Sequence, residues 1–298
     1  MKINSKLSLS LSLIASLALA ACGGGGSSSS GTTGNAAAPA TASAPTTTSP
    51  TSPTSSTPVV GEALPSLSSP QSGSTAAVGN GVEGIWTARG VVTNNTAFID
   101  PNNQFTYIGG MSTVAVNQTF ASLNVATPNW TMTSGSNFSF SFVNPVTAGS
   151  GTYAAKQSFS GSFTSNGSNT TLSLTYDPAN ALAVTQASVA GTWAQTGSSI
   201  TVASDGTVSG TLSNCTASGT VVLSTPNSNK NLYTMNVTLV PTPASSSGSC
   251  SLTSTTTYTG NAAIVFLPTS NANLYTRSVL YVLRSGTTGV AYGQLSKQ

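Results

Sequence analysis

Tyr233-Thr234-Met235-Asn236-Val237-Thr238-Leu239 alternates large apolar and small polar side chains without a break. Successive side chains of an extended chain point to opposite faces. This run therefore puts Tyr233, Met235, Val237 and Leu239 on one buried face and Thr234, Asn236 and Thr238 on the other. The same two-residue period recurs upstream, where Phe138, Phe140 and Phe142 interleave with Ser, and Leu172, Leu174 and Tyr176 with Ser and Thr. Each stretch reads as a half-buried antiparallel strand. Turn signals stand between them: Ser204-Asp205-Gly206 favours a tight hairpin, and Ser165-Asn166-Gly167 another. No stretch after Gly81 shows a helical period.

Composition agrees. Only 4% of the 298 residues are charged, against about 25% in an ordinary soluble protein. Hydroxyls, amides and glycine must supply solubility, and a Ser/Thr/Asn/Gly surface over β-branched residues favours strands. The expected fold is all-β.

Gly84-Ile85-Trp86 recurs as Gly191-Thr192-Trp193, each time opening a stretch of about a hundred residues filled with short strands. Two tandem antiparallel β-domains follow, at residues 81–183 and 184–298, with the boundary inside 177–188. The second divides into about eight strand candidates, and an eight-stranded meander closes into a small barrel with no exposed edge. Trp193, on its first strand, is then expected to plug one end, and Trp86 is its counterpart in the first domain. A closed barrel and an open, curved sheet both fit that first domain.

The Gly-x-Trp opening resembles that of calycin-type barrels, the superfamily of lipocalins. The phrases GTYAAKQSFSGSF (151–163), LTYDPANALAVTQASVAGTW (174–193), SDGTVSG (204–210) and CTASGTV (215–221) are similar to those of a group of two-domain β-rich lipoproteins of Gram-negative bacteria. The resemblance spans roughly residues 81–298 and implies a fold and a location, with no site attached. In lipocalins a late basic residue stacks over the N-terminal Trp. The resemblance therefore implies that Arg277 or Arg284 covers Trp193 by a cation–π contact, with a solvated surface arginine as the alternative.

The N-terminus carries its own signal. Lys2 and Lys6 precede an apolar run from Leu7 to Ala21, too short for a spanning helix of about 20 residues. The run ends in Leu19-Ala20-Ala21-Cys22, which resembles the lipobox of bacterial lipoproteins at every position. That resemblance implies cleavage before Cys22, a diacylglyceryl group on its thiol and a fatty acyl chain such as palmitate on its new amine. An ordinary secretory signal cut after Ala21 is the competing reading. Several buried acyl chains, each CH₂ worth about 0.8 kcal/mol, make anchoring effectively permanent. Gly23 stands where lipoproteins kept at the inner membrane carry Asp, so an outer-membrane location is expected, on its periplasmic or its surface-exposed face. Residues 22–80 consist almost entirely of Gly, Ser, Thr, Ala and Pro and are expected to form a disordered tether with an r.m.s. span on the order of 40 Å.

With Cys22 acylated, Cys215 and Cys250 remain. An even pair in an exported chain most simply forms a disulfide, worth roughly 4 kcal/mol by the chain-entropy argument. Two buried free thiols are the alternative.

The sequence holds no histidine. Ser-His-Asp and Cys-His catalysis, imidazole base chemistry and His-containing metal sites are therefore closed to it. The carboxylates of the strand-rich region, Glu83, Asp100, Asp177 and Asp205, are scattered, and Asp177 and Asp205 read as turn residues. No Ser-x-x-Lys occurs in the folded region, and Ser228-Asn229-Lys230 has the wrong spacing. Neither an enzyme, a metal nor a cofactor is expected. Arg89, Lys156, Lys230, Arg277, Arg284 and Lys297 lie dispersed and form no basic face, so no nucleic-acid partner is expected.

Two functions fit. The first is an outer-membrane-anchored, non-catalytic surface module, recognising a host or envelope macromolecule or serving as structure. The second is a lipocalin-like carrier of a small apolar ligand inside the C-terminal barrel, with Tyr233, Met235, Phe266 and Tyr281 as the candidate lining. Envelope assembly or peptidoglycan attachment is a third reading, against which the missing charge clusters argue.

Overall fold

The computed structural model describes residues 61–89, 94–111, 114–139, 142–242, 249–271, 273–286 and 289–298. The signal segment, Cys22 and the expected tether up to residue 60 lie outside them, as does Phe140. Among the described residues sixteen strands form two antiparallel sheets, each closed into a barrel. The first barrel comprises Gly84–Arg89 (β1), Asn94–Ile99 (β2), Gln104–Met111 (β3), Val114–Ala126 (β4), Asn129–Ser139 (β5), Phe142–Ala154 (β6), Ser158–Ser165 (β7) and Ser168–Tyr176 (β8). The second comprises Gly191–Gln195 (β9), Ser198–Val202 (β10), Thr207–Leu212 (β11), Cys215–Leu223 (β12), Tyr233–Val240 (β13), Thr256–Pro268 (β14), Tyr275–Ser285 (β15) and Gly289–Lys297 (β16). Each strand pairs with the next, and the last returns to the first: Tyr176 meets Trp86, and Lys297 meets Trp193. The N-terminal sheet is thus a closed barrel too.

The internal repeat is longer than Gly-x-Trp, because Val82 and Val189 occupy the same place before each tryptophan. The Trp86 indole N–H donates to the Val82 carbonyl at 2.8 Å, and the Trp193 indole N–H to the Val189 carbonyl at 2.7 Å. Gly84 and Gly191 between them have φ of +133° and +118°, where a side chain is strained. A fully buried indole needs a partner for its N–H, and each barrel satisfies that need with the same local turn.

Side-chain alternation sorts inside from outside. In the first barrel Trp130 stacks on Phe159 at 4.8 Å, and Tyr176 meets Trp86 edge-on at the same separation. The Trp130 indole N–H donates to the Ser160 carbonyl at 3.1 Å, and a Cβ on Gly161 (φ +147°) would come within 2.6 Å of its ring. In the second barrel Trp193, Tyr233, Met235, Val237, Tyr281 and Leu295 fill the inner face.

The barrels share a seam. Ile85, Phe98, Phe120 and Phe138 point out of the first barrel yet are buried, because they belong to one apolar cluster with Ala263, Val265 and Val282 of the second. Residues Ala262 to Phe266 of β14 are all buried, so both faces of that strand are covered. At the margin of the seam the Thr106 hydroxyl donates to the Asn261 side-chain carbonyl at 2.7 Å. Phe142 departs from the alternation expected for 138–142. β5 ends at Ser139 and β6 begins at Phe142, with Phe138 paired to Val143 and Ser139 to Phe142, and Phe142 is 72% exposed.

Residues 61–80, expected as the end of the tether, are instead laid over both barrels. Glu62 pairs antiparallel with Tyr275, and its carboxylate takes two hydrogen bonds from the Arg277 guanidinium. Gln71 bonds to Ala181 and Ala183, and Lys156 donates to the Ala76 carbonyl at 2.7 Å. Ser74 and Thr75 are fully buried around a one-turn helix, Thr75–Val78 (α1). Linker amides add to this clamp. Asn180 bonds both the N–H and the C=O of Ile85, and Gln186 bonds the Val221 carbonyl and the Leu223 N–H.

Candidate functional site

Tyr233, Met235, Phe266 and Tyr281 face the interior of the second barrel, with relative exposures of 0%, 0%, 3% and 0%. A side chain lining a water-sized cavity keeps accessible surface on that side, and these keep almost none. The Tyr233 hydroxyl donates to the Thr185 carbonyl at 3.1 Å. Burial pushes the pKa values of Tyr233 and Tyr281 upward. Tyr233, Met235 and Tyr281 pack as core, and Phe266, almost as buried, also borders a surface pocket of about 360 Å³ with Leu64, Thr87 and Tyr275.

The remaining candidates are mostly structural. Cys215 and Cys250 form the disulfide, with Cα atoms 4.8 Å apart, which settles their pairing against two free thiols. Glu83 pairs with Lys230. Asp177 accepts from the Ala179 N–H and the Thr87 hydroxyl, capping the turn after β8. Asp205 accepts from the Thr207 N–H, a bond that holds its carboxyl below the ordinary range. Among the described residues no three His, Cys, Asp or Glu side chains gather into a metal-binding group.

The contact expected over Trp193 is made by a different cation. Lys297 lies 5.5 Å from the ring centroid. Arg277 is engaged by Glu62, and Arg284 sits 5.2 Å above the Phe120 ring of the other barrel. Parity within β15 explains the outcome for Arg284. Val279, Tyr281 and Leu283 face inward, so Arg284 faces out toward the seam, while Lys297, paired with Trp193, falls on the inner face.

Arg284 borders a groove of about 350 Å³ between the barrels. One wall is the outer face of β14, where Thr257, Thr259 and Asn261 succeed one another at every second residue and Arg284 is registered opposite Thr259. The other wall comes from the β2–β3 turn. There Asp100 accepts through one oxygen from the Asn102 and Gln104 N–H groups, and Gln104 accepts from the Ser122 hydroxyl. Thr106 and Phe120 form part of the floor. Sequence reading missed this constellation because its walls lie about 155 residues apart in the chain. The one available signal was the unbroken apolar run Ala262 to Phe266, which marks β14 as covered on both faces and Arg284's neighbours as a junction.

No family model, no curated protein and no solved structure matches the chain.

Proposed function

We propose that this protein is an outer-membrane lipoprotein whose two-barrel body is a non-catalytic recognition module, tethered through acylated Cys22 and presenting its polar outer surface to a macromolecule. The observation that carries this reading is the filled interior of the second barrel. With Trp193, Tyr233, Met235 and Tyr281 stripped of accessible surface, binding falls to the outer faces, where hydroxyls and amides predominate. The lipobox at 19–22 and the absence of histidine from the sequence support the anchor and the lack of catalysis.

Two measurements on expressing cells test it. Radiolabelled palmitate is expected to enter the wild-type chain and not the Cys22→Ala variant. Protease added to intact cells is expected to remove the two-barrel body. A shielded body transfers the partner to the envelope interior, and an unlabelled wild-type chain removes the anchor from the proposal.

A further inference from the structure

We infer that the inter-barrel groove is a binding site for an acidic saccharide, whose carboxylate docks on Arg284 and whose hydroxyls meet Asp100, Gln104 and Thr259. This rests on the recognition-module reading and gives it a site and a ligand class.

The argument starts from the cations. The chain has few, and internal contacts occupy most of those whose side chains are described: Lys230 pairs with Glu83, Arg277 with Glu62, Lys156 donates to the Ala76 carbonyl, and Lys297 lies over Trp193. Arg284 differs. Its guanidinium is held over the buried Phe120 ring, and among the described residues its N–H groups donate to nothing. A cation–π contact uses the face of the group and leaves its forked donors open, and such a fork receives a carboxylate with two parallel hydrogen bonds.

Around that cation the groove supplies what a polyhydroxylated ring requires. Same-face residues on a strand are spaced about 7 Å apart, so Thr257 and Thr259 set two hydroxyls in a row along β14, beside Arg284, the first sharing a hydrogen bond with Thr238 and the row ending at buried Asn261, which accepts from Thr106. Across the groove the second oxygen of Asp100 takes no hydrogen bond among the described residues, and the amide nitrogen of Gln104 is likewise unengaged. A carboxylate oxygen is a strong acceptor for sugar hydroxyls. It also repels a compact anion such as phosphate, so the Asp100 and Arg284 pair selects a ligand that carries hydroxyls and one acidic group together. The volume of about 350 Å³ lies at the lower end of the roughly 300–1,000 Å³ typical of small-ligand sites, suiting one or two sugar rings. Among the described residues lining the groove, Phe105 and Phe120 are both buried and the guanidinium lies over Phe120, so neither ring offers a face for stacking. Recognition is therefore polar, with the charge supplying most of the discrimination.

Saturation-transfer NMR on the full-length chain in detergent tests this, with galacturonic acid and N-acetylneuraminic acid as probes and galactose and inorganic phosphate as controls. Acidic sugars are expected to bind at least tenfold more tightly than galactose and than phosphate. Arg284→Ala is expected to abolish that preference, Arg284→Lys to retain part of it, and Asp100→Asn to weaken all sugars while improving phosphate. Arg284 is exposed, and its variants lose a single cation–π contact, that with Phe120, so the Arg284 variants are expected to melt within about 4 °C of wild type, which is measured alongside for all the variants. Equal binding of galactose and galacturonic acid, or an unchanged preference in Arg284→Ala, overturns the inference. If wild type binds no saccharide while palmitate incorporation and protease removal from intact cells both stand, this site falls and the recognition module survives. Loss of those two results removes the anchor and the surface-facing partner from the proposed function, whatever the groove binds.

Discussion

The Lys230 ammonium, in the loop before β13 of the second barrel, lies 2.7 Å from the Glu83 carboxylate at the start of the first, and the Glu83 side chain is only 2% exposed. The acid is thus desolvated almost completely, while its partner keeps 18% exposure. Coulombic attraction in such a pair is offset by the cost of taking the carboxylate out of water, so the pair as a whole adds little. Removing one partner is another matter, because it strands a buried charge.

Lys230→Met is accordingly expected to lower stability by about 3 kcal/mol, at the mild end of the range for breaking a buried pair because Lys230 keeps some exposure. Glu83→Gln combined with Lys230→Met is expected to recover more than half of that loss. Urea denaturation of the two variants measures both, and a double variant no better than the single one removes the stranded charge as the cause.

Lys297, and neither arginine, is expected to govern Trp193. Lys297→Ala forfeits an exposed cation–π contact worth about 0.5–1 kcal/mol and opens the ring to water. A red shift of the tryptophan emission follows. Arg277→Ala and Arg284→Ala are expected to leave the emission maximum in place. A red shift in Arg284→Ala would return Trp193 to the arginine first expected over it.

Much of the fold was legible because a barrel strand writes its burial at every second residue. Tyr233, Met235, Val237 and Leu239 are all buried and inward, and Gly191-Thr192-Trp193 opens a barrel as the repeat implied. Legibility failed where burial is not apolar. Ser74 and Thr75 have the composition of a tether yet are fully buried, held by hydrogen bonds that no hydropathy pattern encodes. Composition also hid the closure of the first barrel, since the long β5–β6 hairpin interleaves its few buried residues with Ser, Asn and Gly. The groove was invisible for a different reason: it exists only once Phe98 and Phe120, outward-facing on their own barrel, find a second barrel to cover them.

The buried tyrosines set an alkaline limit on stability. Desolvation raises Tyr107 to about 12 and pushes Tyr176, Tyr233 and Tyr281 upward as well. An unfolded tyrosine releases its proton near 10. Since the folded values stand above the unfolded one, their contribution is complete below about pH 10 and is lost as the pH climbs toward 12. In a titration at 295 nm the hydroxyls of these four are expected to ionise only together with a cooperative collapse of the circular dichroism. All eight tyrosines titrating near pH 10 with the β-sheet signal intact would refute the assignment.

Asn231 is expected to be the most sensitive polar residue in the molecule. Its side chain is fully buried and serves three backbone groups: its carbonyl accepts from the Ile264 N–H at 3.0 Å, and its amide donates to the Ile264 carbonyl at 2.7 Å and the Ala179 carbonyl at 3.0 Å. Its own N–H donates to the Thr75 hydroxyl at 3.1 Å. One amide thus joins β14, the linker between the barrels and the segment that overlies both. Each buried group left unpaired costs about 1–3 kcal/mol, and water entering the space recovers part of the sum. Asn231→Ala is therefore expected to cost about 3 kcal/mol or more, and Thr75→Val, which orphans a single N–H, about 1–2 kcal/mol. Limited proteolysis separates this role from general destabilisation. At a denaturant concentration where the variant is still folded, Asn231→Ala is expected to be cut within 61–80 faster than Lys230→Met, because its loss frees that segment first. Equal cutting in the two variants would mean that the overlying segment is held by its other contacts and that Asn231 serves the strand alone.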